Sequence, residues 1–257
     1  MREEIVDDTY ILYDIEELND ITIDDIKKEI KFESMYSQNI PVPRLVKIQG
    51  IFDNDYKPLY RHPIDTQPEI TEMTPLTKKI CDVLSKKLNQ KFNHVLIQLY
   101  RSGNDFIGEH SDKTLDILQN TNIVNYSIGA TKTMRLRQKK INDSNDNLQE
   151  REIKKIKLKN NSVFVLGWNT NQKWLHSIKQ EKSLADLGER ISFTFRTIAT
   201  FIDNSGNIIG QGAPKNFFNI NDELDMLQAF SKENHEIDFD WNKYYGNGFN
   251  AINLKNI

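Results

Sequence analysis

Five residues in two short stretches have the types and the spacing of a metal site beside two cations. His110 and Asp112 stand two apart in the sequence GEHSD, and His176 follows after 63 intervening residues. On a strand, residues i and i+2 face the same side, so His110 and Asp112 could both reach one metal ion. Two histidines and one carboxylate are the ligand set of non-haem Fe(II) oxygenases, in which other metal positions stay open. Arg190 and Arg196 would then suit the two carboxylates of a dicarboxylate cosubstrate.

The two arginines belong to one predicted strand, Arg190–Arg196, with the sequence RISFTFR. Polar and apolar residues alternate along it, which predicts a strand that buries its aromatic face. The opposite face would direct both guanidinium groups into a cavity. An isolated H-x-D pair often occurs by chance, and a strand with two arginines can be a solvated edge. The ordered combination of all five residues favours a functional site over these alternatives.

The elements that would position these residues are mostly strands. From residue 94 onward, short strand-like runs alternate with turns, which predicts a β-sandwich or barrel. Residues 75–90 carry an apolar stripe at helical spacing, with Thr74 placed as the N-cap and Pro75 in the first turn. The polar run NDSNDN, residues 142–147, predicts a hairpin tip. We therefore expect a mainly β protein with flanking helices, an α+β chain.

Composition limits the class of protein. The 257 residues are enough for one domain with a full core. No apolar run reaches the length of a membrane span, and the acidic N-terminus lacks the pattern of a signal peptide. The single cysteine, Cys81, excludes an internal disulfide framework and fits a reducing compartment. We expect an intracellular protein, nuclear or cytoplasmic, without membrane contact. The oligomeric state stays open, and a monomer is compatible with the sequence.

The net charge of −3 conceals an uneven distribution. Residues 1–30 contain 3 Lys/Arg and 11 Asp/Glu, and residues 216–257 contain 3 and 7. The middle of the chain therefore has an excess of basic residues, which suits a polyanionic partner, although scattered surface lysines would give the same excess. We predict an acidic N-terminal extension over residues 1–40, a catalytic domain over residues 41–215, and an acidic C-terminal extension over residues 216–257. The last segment would pack on the core or on a partner.

Several motifs together resemble the AlkB family of Fe(II)/2-oxoglutarate dioxygenases, over roughly residues 41–202. They are VPR at 42–44, FNHVLIQLYRSGNDFIGEHSD at 92–112, NYSIGATKTMRLRQKK at 125–140, and the segments WLHSI and RISFTFR. The resemblance implies a double-stranded β-helix, or distorted jelly roll. It also implies that His110, Asp112 and His176 bind the iron.

The same resemblance implies the contacts of the cosubstrate. Arg196 would bind the oxo-acid end of 2-oxoglutarate beside the metal, and Arg190 would pair with the far carboxylate, helped by the phenol of Tyr100. Two of the positions near the cosubstrate differ from the family pattern. Gln98 stands where the family mostly has Asn, and Ser192 stands where Asn often lies between the arginines. Both side chains can still form hydrogen bonds to the cosubstrate.

The activity that the resemblance implies is oxidative demethylation of N-alkylated bases, such as 1-methyladenine and 3-methylcytosine, in DNA or RNA. It would use Fe(II), 2-oxoglutarate and O2, and release formaldehyde, succinate and CO2 as a repair reaction. The base must leave its stack to reach the pocket. Tyr60, Tyr56 and His62 are candidates for stacking on it, and Arg44 for a phosphate contact. Each of these four could instead have a purely structural role.

Two other functions remain open from the sequence. The first is a 2-oxoglutarate oxygenase that acts on a protein or a small molecule. Thr114 leaves this open, because it stands where an acidic residue commonly follows H-x-D in the family. That change would bear on substrate preference or efficiency. The second is a non-catalytic scaffold of the same fold, against which the complete ligand set argues.

Overall fold

The structure is a computed structural model that describes residues 1–64, 66–140, 150–181, 188–215 and 222–254. Its strands, in chain order, are β1 (Arg2–Val6), β2 (Thr9–Tyr13), β3 (Glu33–Ser37), β4 (Ile40–Gly50), β5 (Lys57–Pro58), β6 (Thr71–Glu72), β7 (His94–Tyr100), β8 (Ile107–His110), β9 (Ile123–Gly129), β10 (Lys132–Gln138), β11 (Ile153–Leu158), β12 (Ser162–Leu166), β13 (Trp174–Ile178), β14 (Arg190–Arg196), β15 (Thr200–Ile202) and β16 (Ile208–Gly210). Its helices are a 3-10 turn (Glu16–Leu18), α1 (Ile23–Glu29), α2 (Pro75–Leu88), α3 (Trp168–Lys173), α4 (Asp222–His235) and α5 (Trp241–Tyr245).

Within these residues the strands form three sheets. The large sheet has the order β1-β2-β12-β9-β14-β7-β4-β3, with β6 added in parallel to β4. The small sheet has the order β11-β10-β13-β8, and β16-β15-β5 form a third. Strands β10 and β11 flank the predicted hairpin tip and pair antiparallel, and the tip itself, at 142–147, lies outside the described residues.

Apolar side chains pack on both faces of the large sheet. On one face, α1 and α2 cover alternate residues of β7 and β14, among them Val95, Ile97, Phe193 and Phe195. The other face packs against the small sheet through a second cluster that includes Tyr100 and residues of β10 and β13. Two facing antiparallel sheets with helices on the outside are the predicted jelly roll, and the fold class is confirmed.

Helix α2 begins and ends where the sequence predicts. The Oγ1 atom of Thr74 accepts a hydrogen bond from Thr77 N at 3.4 Å, and Pro75 occupies the first turn, where a missing N–H costs nothing. Asn89 ends the helix in the left-handed conformation, with φ of 49°. Ile80 and Leu84 on the apolar stripe are fully buried against the large sheet.

The first 40 residues contribute more strand than the sequence indicates. Helix α1 forms there, with a capping box between Thr22 and Asp25. However, β1 and β2 extend the large sheet, and Ile11 on β2 pairs with Phe164 of β12 and is fully buried. These strands are difficult to predict from the sequence because they are short and are flanked by acidic residues. The division of the chain at residue 40 stays a prediction, although this segment is part of the main sheet.

Residues 222–254 pack on the core. Leu115 is fully buried in a cluster with Met226, Phe230 and Tyr245 from the C-terminal helices. Nearby, Arg61 and Asp116 form an ion pair at 2.6 Å with both side chains fully buried. Arg61 also donates hydrogen bonds to backbone oxygens of the C-terminal segment, including that of residue 249 at 2.7 Å. The boundary at residue 215 remains a prediction. No described helix is long and apolar enough to cross a membrane.

An aspartate of the N-terminal segment caps the helix that leads into His176. The Asp8 carboxylate accepts hydrogen bonds from Asn169 N at 2.9 Å and from Thr170 N at 3.0 Å, at the start of α3. Substitution Asp8→Ala removes this cap and should lower the free energy of unfolding by about 1–2 kcal/mol. The measurement is urea unfolding. Asp82→Ala, on the exposed side of α2, is the control and should change stability by less than about 0.5 kcal/mol. Equal effects would mean that Asp8 has no capping role.

Candidate metal centre and adjoining pocket

The structure brings His110, Asp112 and His176 together. Strand β8 pairs with β13 so that His110 lies opposite His176, and their ring centroids are 4.2 Å apart. The Oδ1 atom of Asp112 is 3.5 Å from Nε2 of His110 and 3.6 Å from Nε2 of His176. Possible ligand atoms of all three residues lie within 4.8 Å of one another. In the described part of the chain, these residues form the group that could hold a metal ion.

Asp112 reaches the site in a different way from the one predicted. Strand β8 ends at His110, so the two residues do not share a strand face. Asp112 instead lies in the following loop, where Asn171 of α3 holds its backbone. Asp112 N donates to Oδ1 of Asn171 at 2.9 Å, and Nδ2 of Asn171 donates to the Asp112 carbonyl at 2.9 Å. The helix before His176 therefore fixes the carboxylate as well.

The electrostatics favour the protonation states that a metal requires. The Oδ2 atom of Asp112 accepts hydrogen bonds from Arg196 Nε at 2.9 Å and Nη2 at 2.6 Å. Burial by itself would raise the pKa of Asp112, but Arg196 and the two histidines hold that pKa well below its usual value. Burial lowers the pKa of His176 to about 3. A charged carboxylate and a neutral imidazole are what metal binding needs.

Arg190 is a buried cation with unused hydrogen-bond donors. Its Nη2 atom donates to Asn125 Oδ1 at 2.9 Å and to Ser127 Oγ at 2.8 Å. Its Nε and Nη1 atoms have no hydrogen-bond partner, and neither has the Oγ atom of Ser192 on the same strand face. Burial lowers the pKa of Arg190 to about 10. A fully buried guanidinium with free donors is costly, so this group fits a carboxylate of a bound dicarboxylate.

Tyr100 and Gln98 lie on the strand next to that of Arg190. On the neighbouring strand β7, Tyr100 lies opposite Arg190 and Gln98 lies opposite Ser192. The guanidinium carbon of Arg190 is 5.2 Å from the centre of the Tyr100 ring. The Oε1 atom of Gln98 accepts a hydrogen bond from Arg44 Nε at 2.7 Å. Gln98 and Tyr100 line the cavity beside the triad, whereas Ser192 and Arg190 are not among its lining residues.

A cavity of about 400 Å³ opens beside the triad. Among the candidates for substrate contact, Tyr60, His62 and Arg44 line it. The Tyr60 ring stacks with His62 at 5.2 Å and covers the Arg196 guanidinium at 4.3 Å. Burial lowers the pKa of His62 to about 4, so its ring is neutral. Tyr56 is not among the lining residues: it forms an isolated bridge with Asp53 instead.

The pocket also contains polar residues that the sequence analysis does not single out. They are Asn125, Thr194, Glu109, Lys113 and Asn234. Thr194 shares the strand face of the two arginines, so the alternation along β14 predicts that it also faces the pocket. Glu109 pairs with both Arg135 and Arg137. Asn234 comes from α4, and no local pattern connects it with the metal centre.

Comparison with known proteins identifies the class. Residues 16–196 match the 2OG-Fe(II) oxygenase superfamily, and the chain therefore belongs to that superfamily. Its fold is similar to the structure of OsALKBH1, with a TM-score of 0.51 and 14% identity over 77% of this chain and 100% of the other. Within the superfamily the chain is AlkB-like, as its sequence relatives show.

The relatives are DNA oxidative demethylase ALKBH2 and a second AlkB homologue. The chain is 32% identical over 126 residues to ALKBH2 of Bos taurus, which covers 48% of this chain and 44% of that protein. It is equally identical to ALKBH2 of Homo sapiens, over 46% of that protein. It is 27% identical over 124 residues to alpha-ketoglutarate-dependent dioxygenase alkB homolog 3 of Homo sapiens, over 48% of this chain and 43% of that protein. The chain thus spans less than half the length of these relatives.

The family assignment and the fold predicted from the sequence are confirmed. Membership of the superfamily implies Fe(II), 2-oxoglutarate and O2, and the triad is present to receive the iron. The roles of individual residues remain predictions.

Proposed function

We propose that this protein is an Fe(II)/2-oxoglutarate-dependent dioxygenase that oxidatively demethylates N-alkylated bases in DNA or RNA. The reaction would release formaldehyde, succinate and CO2. The observation that carries the proposal is a metal triad beside a cavity, together with a buried arginine with free donors, Arg190, that lies directly behind the lining residues Tyr100 and Asn125. The substrate class is supported by the relatives, two of which are named DNA oxidative demethylases.

In this proposal His110, Asp112 and His176 bind the iron. When bound, iron supplies, with 2-oxoglutarate and O2, the oxidation of the N-methyl group. The protein's own task is to orient the reactants and keep bulk water away. Arg196 would hold the oxo-acid end of the cosubstrate while it orients the Asp112 carboxylate. These four residues would form the catalytic group.

The far end of the cosubstrate would lie against β14 and β7. Arg190 would bind its second carboxylate with the two nitrogens that have no partner, and Ser192 would offer its free hydroxyl. Tyr100 would support Arg190, and Gln98, opposite Ser192, would form the neighbouring part of the wall. A buried arginine whose donors are free is preorganised for such a carboxylate, because no internal ion pair has to break.

The substrate base would enter the part of the cavity that Tyr60 and His62 line. A base must leave its stack to enter. The ring of His62 is neutral and stacks on Tyr60, so these two would form an aromatic wall. Arg44, whose Nε donates to Gln98, would contact a phosphate of the nucleic acid. Tyr56 does not line the cavity, and no contact among the described residues supports a role for it. Nucleic acid as the partner is consistent with a nuclear or cytoplasmic location.

The test is release of formaldehyde and succinate with Fe(II) and 2-oxoglutarate. Single-stranded oligonucleotides would carry 1-methyladenine, 3-methylcytosine, 3-methylthymine or 1-methylguanine, with His110→Ala as the inactive control. Stoichiometric formaldehyde, succinate and repaired base from any of these, absent in the control, supports the proposal. Succinate without repaired base would replace nucleic acid by a protein or small-molecule substrate. A folded protein that binds neither Mn(II), used in place of Fe(II), nor 2-oxoglutarate would be a non-catalytic scaffold.

A further inference from the structure

Lys113 and Asn234 form a polar wall of the pocket, next to the metal ligands. Lys113 follows Asp112 directly and is only 3% exposed. Its Nζ atom donates to Oδ1 of Asn234 at 2.5 Å. The same oxygen accepts hydrogen bonds from Ser111 N at 3.0 Å and Ser111 Oγ at 3.1 Å. Both Lys113 and Asn234 line the cavity. Because the amide oxygen of Asn234 is fully used, this side chain has only its N–H donors to offer a ligand.

The carboxylates that line the cavity are already paired. Among the described lining residues they are Glu109 and Asp112. Glu109 binds Arg135 and Arg137, and Asp112 binds Arg196. A ligand therefore meets no free carboxylate there.

Glu233 lies close to Lys113 but behind the wall. It is 2% exposed and is not a lining residue. Its Oε1 atom accepts a hydrogen bond from Thr114 N at 3.0 Å, and its Oε2 atom accepts one from Tyr245 Oη at 2.6 Å. The carboxylate that the family commonly has after H-x-D is thus supplied by α4, but it faces the protein interior. The residues that line the cavity there, Lys113 and Asn234, supply an ammonium group and amide N–H donors.

We propose that this wall selects methylated bases that are neutral and carry a ring carbonyl, over methylated bases that are cationic. This inference rests on the proposed function and names the substrate within it. At neutral pH, 3-methylcytosine and 1-methyladenine carry a positive charge and present an exocyclic amino donor. In contrast, 3-methylthymine and 1-methylguanine are neutral and present a carbonyl acceptor at the equivalent ring position.

The physical reason is complementarity of charge and of hydrogen bonds. A carbonyl oxygen accepts from the Lys113 ammonium or the Asn234 amide, and a bond to a charged donor is among the stronger ones. A cationic base would place its charge beside Lys113 and its amino donor against other donors. A site built for one hydrogen-bonding pattern rejects the opposite pattern, because its polar groups lose their partners. We expect a preference of about tenfold or more in kcat/KM.

The experiment compares bases that differ in the charge and the exocyclic group. The same single-stranded oligonucleotide would carry 3-methylthymine or 3-methylcytosine, and a second pair 1-methylguanine or 1-methyladenine. Wild-type protein should favour the carbonyl base of each pair. Lys113→Met keeps the apolar stem without the charge and should reduce the preference at least threefold. Asn234→Asp, a second variant that adds a carboxylate to the wall, should shift turnover toward the cationic bases.

The matched control is Lys139→Met. Lys139 is also a buried lysine beside Glu233, since its Nζ atom donates to the Glu233 carbonyl, but it does not line the cavity. This variant should keep the wild-type preference even if it is less stable. Affinity for Mn(II) would be measured in every variant, because Lys113 adjoins a metal ligand.

The outcomes separate the inference from the function that it rests on. Wild-type protein that turns over a cationic base as well as its carbonyl partner overturns the inference and keeps the demethylase. An unchanged preference in Lys113→Met with normal Mn(II) affinity also overturns it. The absence of demethylation with all four bases, despite normal binding of Mn(II) and 2-oxoglutarate, would instead overturn both proposals.

Discussion

Substitution Asp112→Asn should lower the affinity for Fe(II) by more than about 100-fold, since even changes to residues that only support a metal ligand cost 10–100-fold. It should also destabilise the metal-free protein by about 3–5 kcal/mol, because Arg196 is left as a buried charge without its counter-ion. The amide keeps the shape of the carboxylate, so both effects report charge. Mn(II) titration without oxygen measures the first, and urea unfolding measures the second.

The stability difference should depend on pH. The pKa of Asp112 is held well below its usual value, so its ion pair stabilises the fold above the pKa of an unfolded aspartate, about 4. That contribution is lost as the pH falls from there toward the lower folded-state pKa. Wild-type protein and the Asn variant should therefore converge in stability as the solution is acidified below about pH 4.

Asp105→Asn is the matched control for Asp112→Asn. Asp105 is equally buried, at 5% exposure, and pairs with Arg101 at 2.8 Å rather than with the triad. Its substitution should cost stability and leave the Mn(II) affinity unchanged. Wild-type Mn(II) affinity in Asp112→Asn would remove Asp112 from the ligand set.

Much of the site follows from local patterns in the sequence. The alternation along β14 has period two, so it predicts which residues share the face toward the pocket; Thr194 and Arg196 line the cavity, and Arg190 lies behind its lining residue Tyr100. The triad is predicted by residue type and spacing. Its geometry is only partly predicted, because the position of Asp112 after the strand depends on the side chain of Asn171, 59 residues after Asp112.

The remainder of the site depends on contacts between distant segments. Asn234 reaches Ser111 across 123 residues, and Glu233 reaches Thr114 across 119. Helix α4 shows a helical pattern in the sequence, but nothing in that pattern states which loop it will cover. For the same reason, the sequence shows that Thr114 stands where the family commonly has an acidic residue. Only the structure shows that the carboxylate of Glu233 lies next to it.

Substitution Arg190→Met should weaken 2-oxoglutarate binding by about 100-fold. Loss of one partner of a buried hydrogen-bonded charge pair costs 2–5 kcal/mol, and about 3 kcal/mol corresponds to that factor. Methionine occupies much of the same volume without the charge. The metal-free variant should lose less stability than Asp112→Asn, because Arg190 has two nitrogens without a partner, so its burial as a charge is only partly compensated. Arg190→Met should therefore affect mainly 2-oxoglutarate binding, whereas Asp112→Asn should lower both the metal affinity and the stability.

Thermal unfolding with and without 2-oxoglutarate measures this directly on Mn(II)-loaded protein. At a ligand concentration 100 times the wild-type Kd, binding should stabilise wild-type protein by about 2.7 kcal/mol. The same concentration would be close to the Kd of the variant and should stabilise it by only about 0.4 kcal/mol.

Arg101→Met is the control: it removes an arginine whose side chain is 51% exposed and should respond like wild type. A full shift in Arg190→Met would show that another group binds the far carboxylate. A reduced shift in both variants would point to general damage to the fold. Only loss confined to Arg190 supports the assignment.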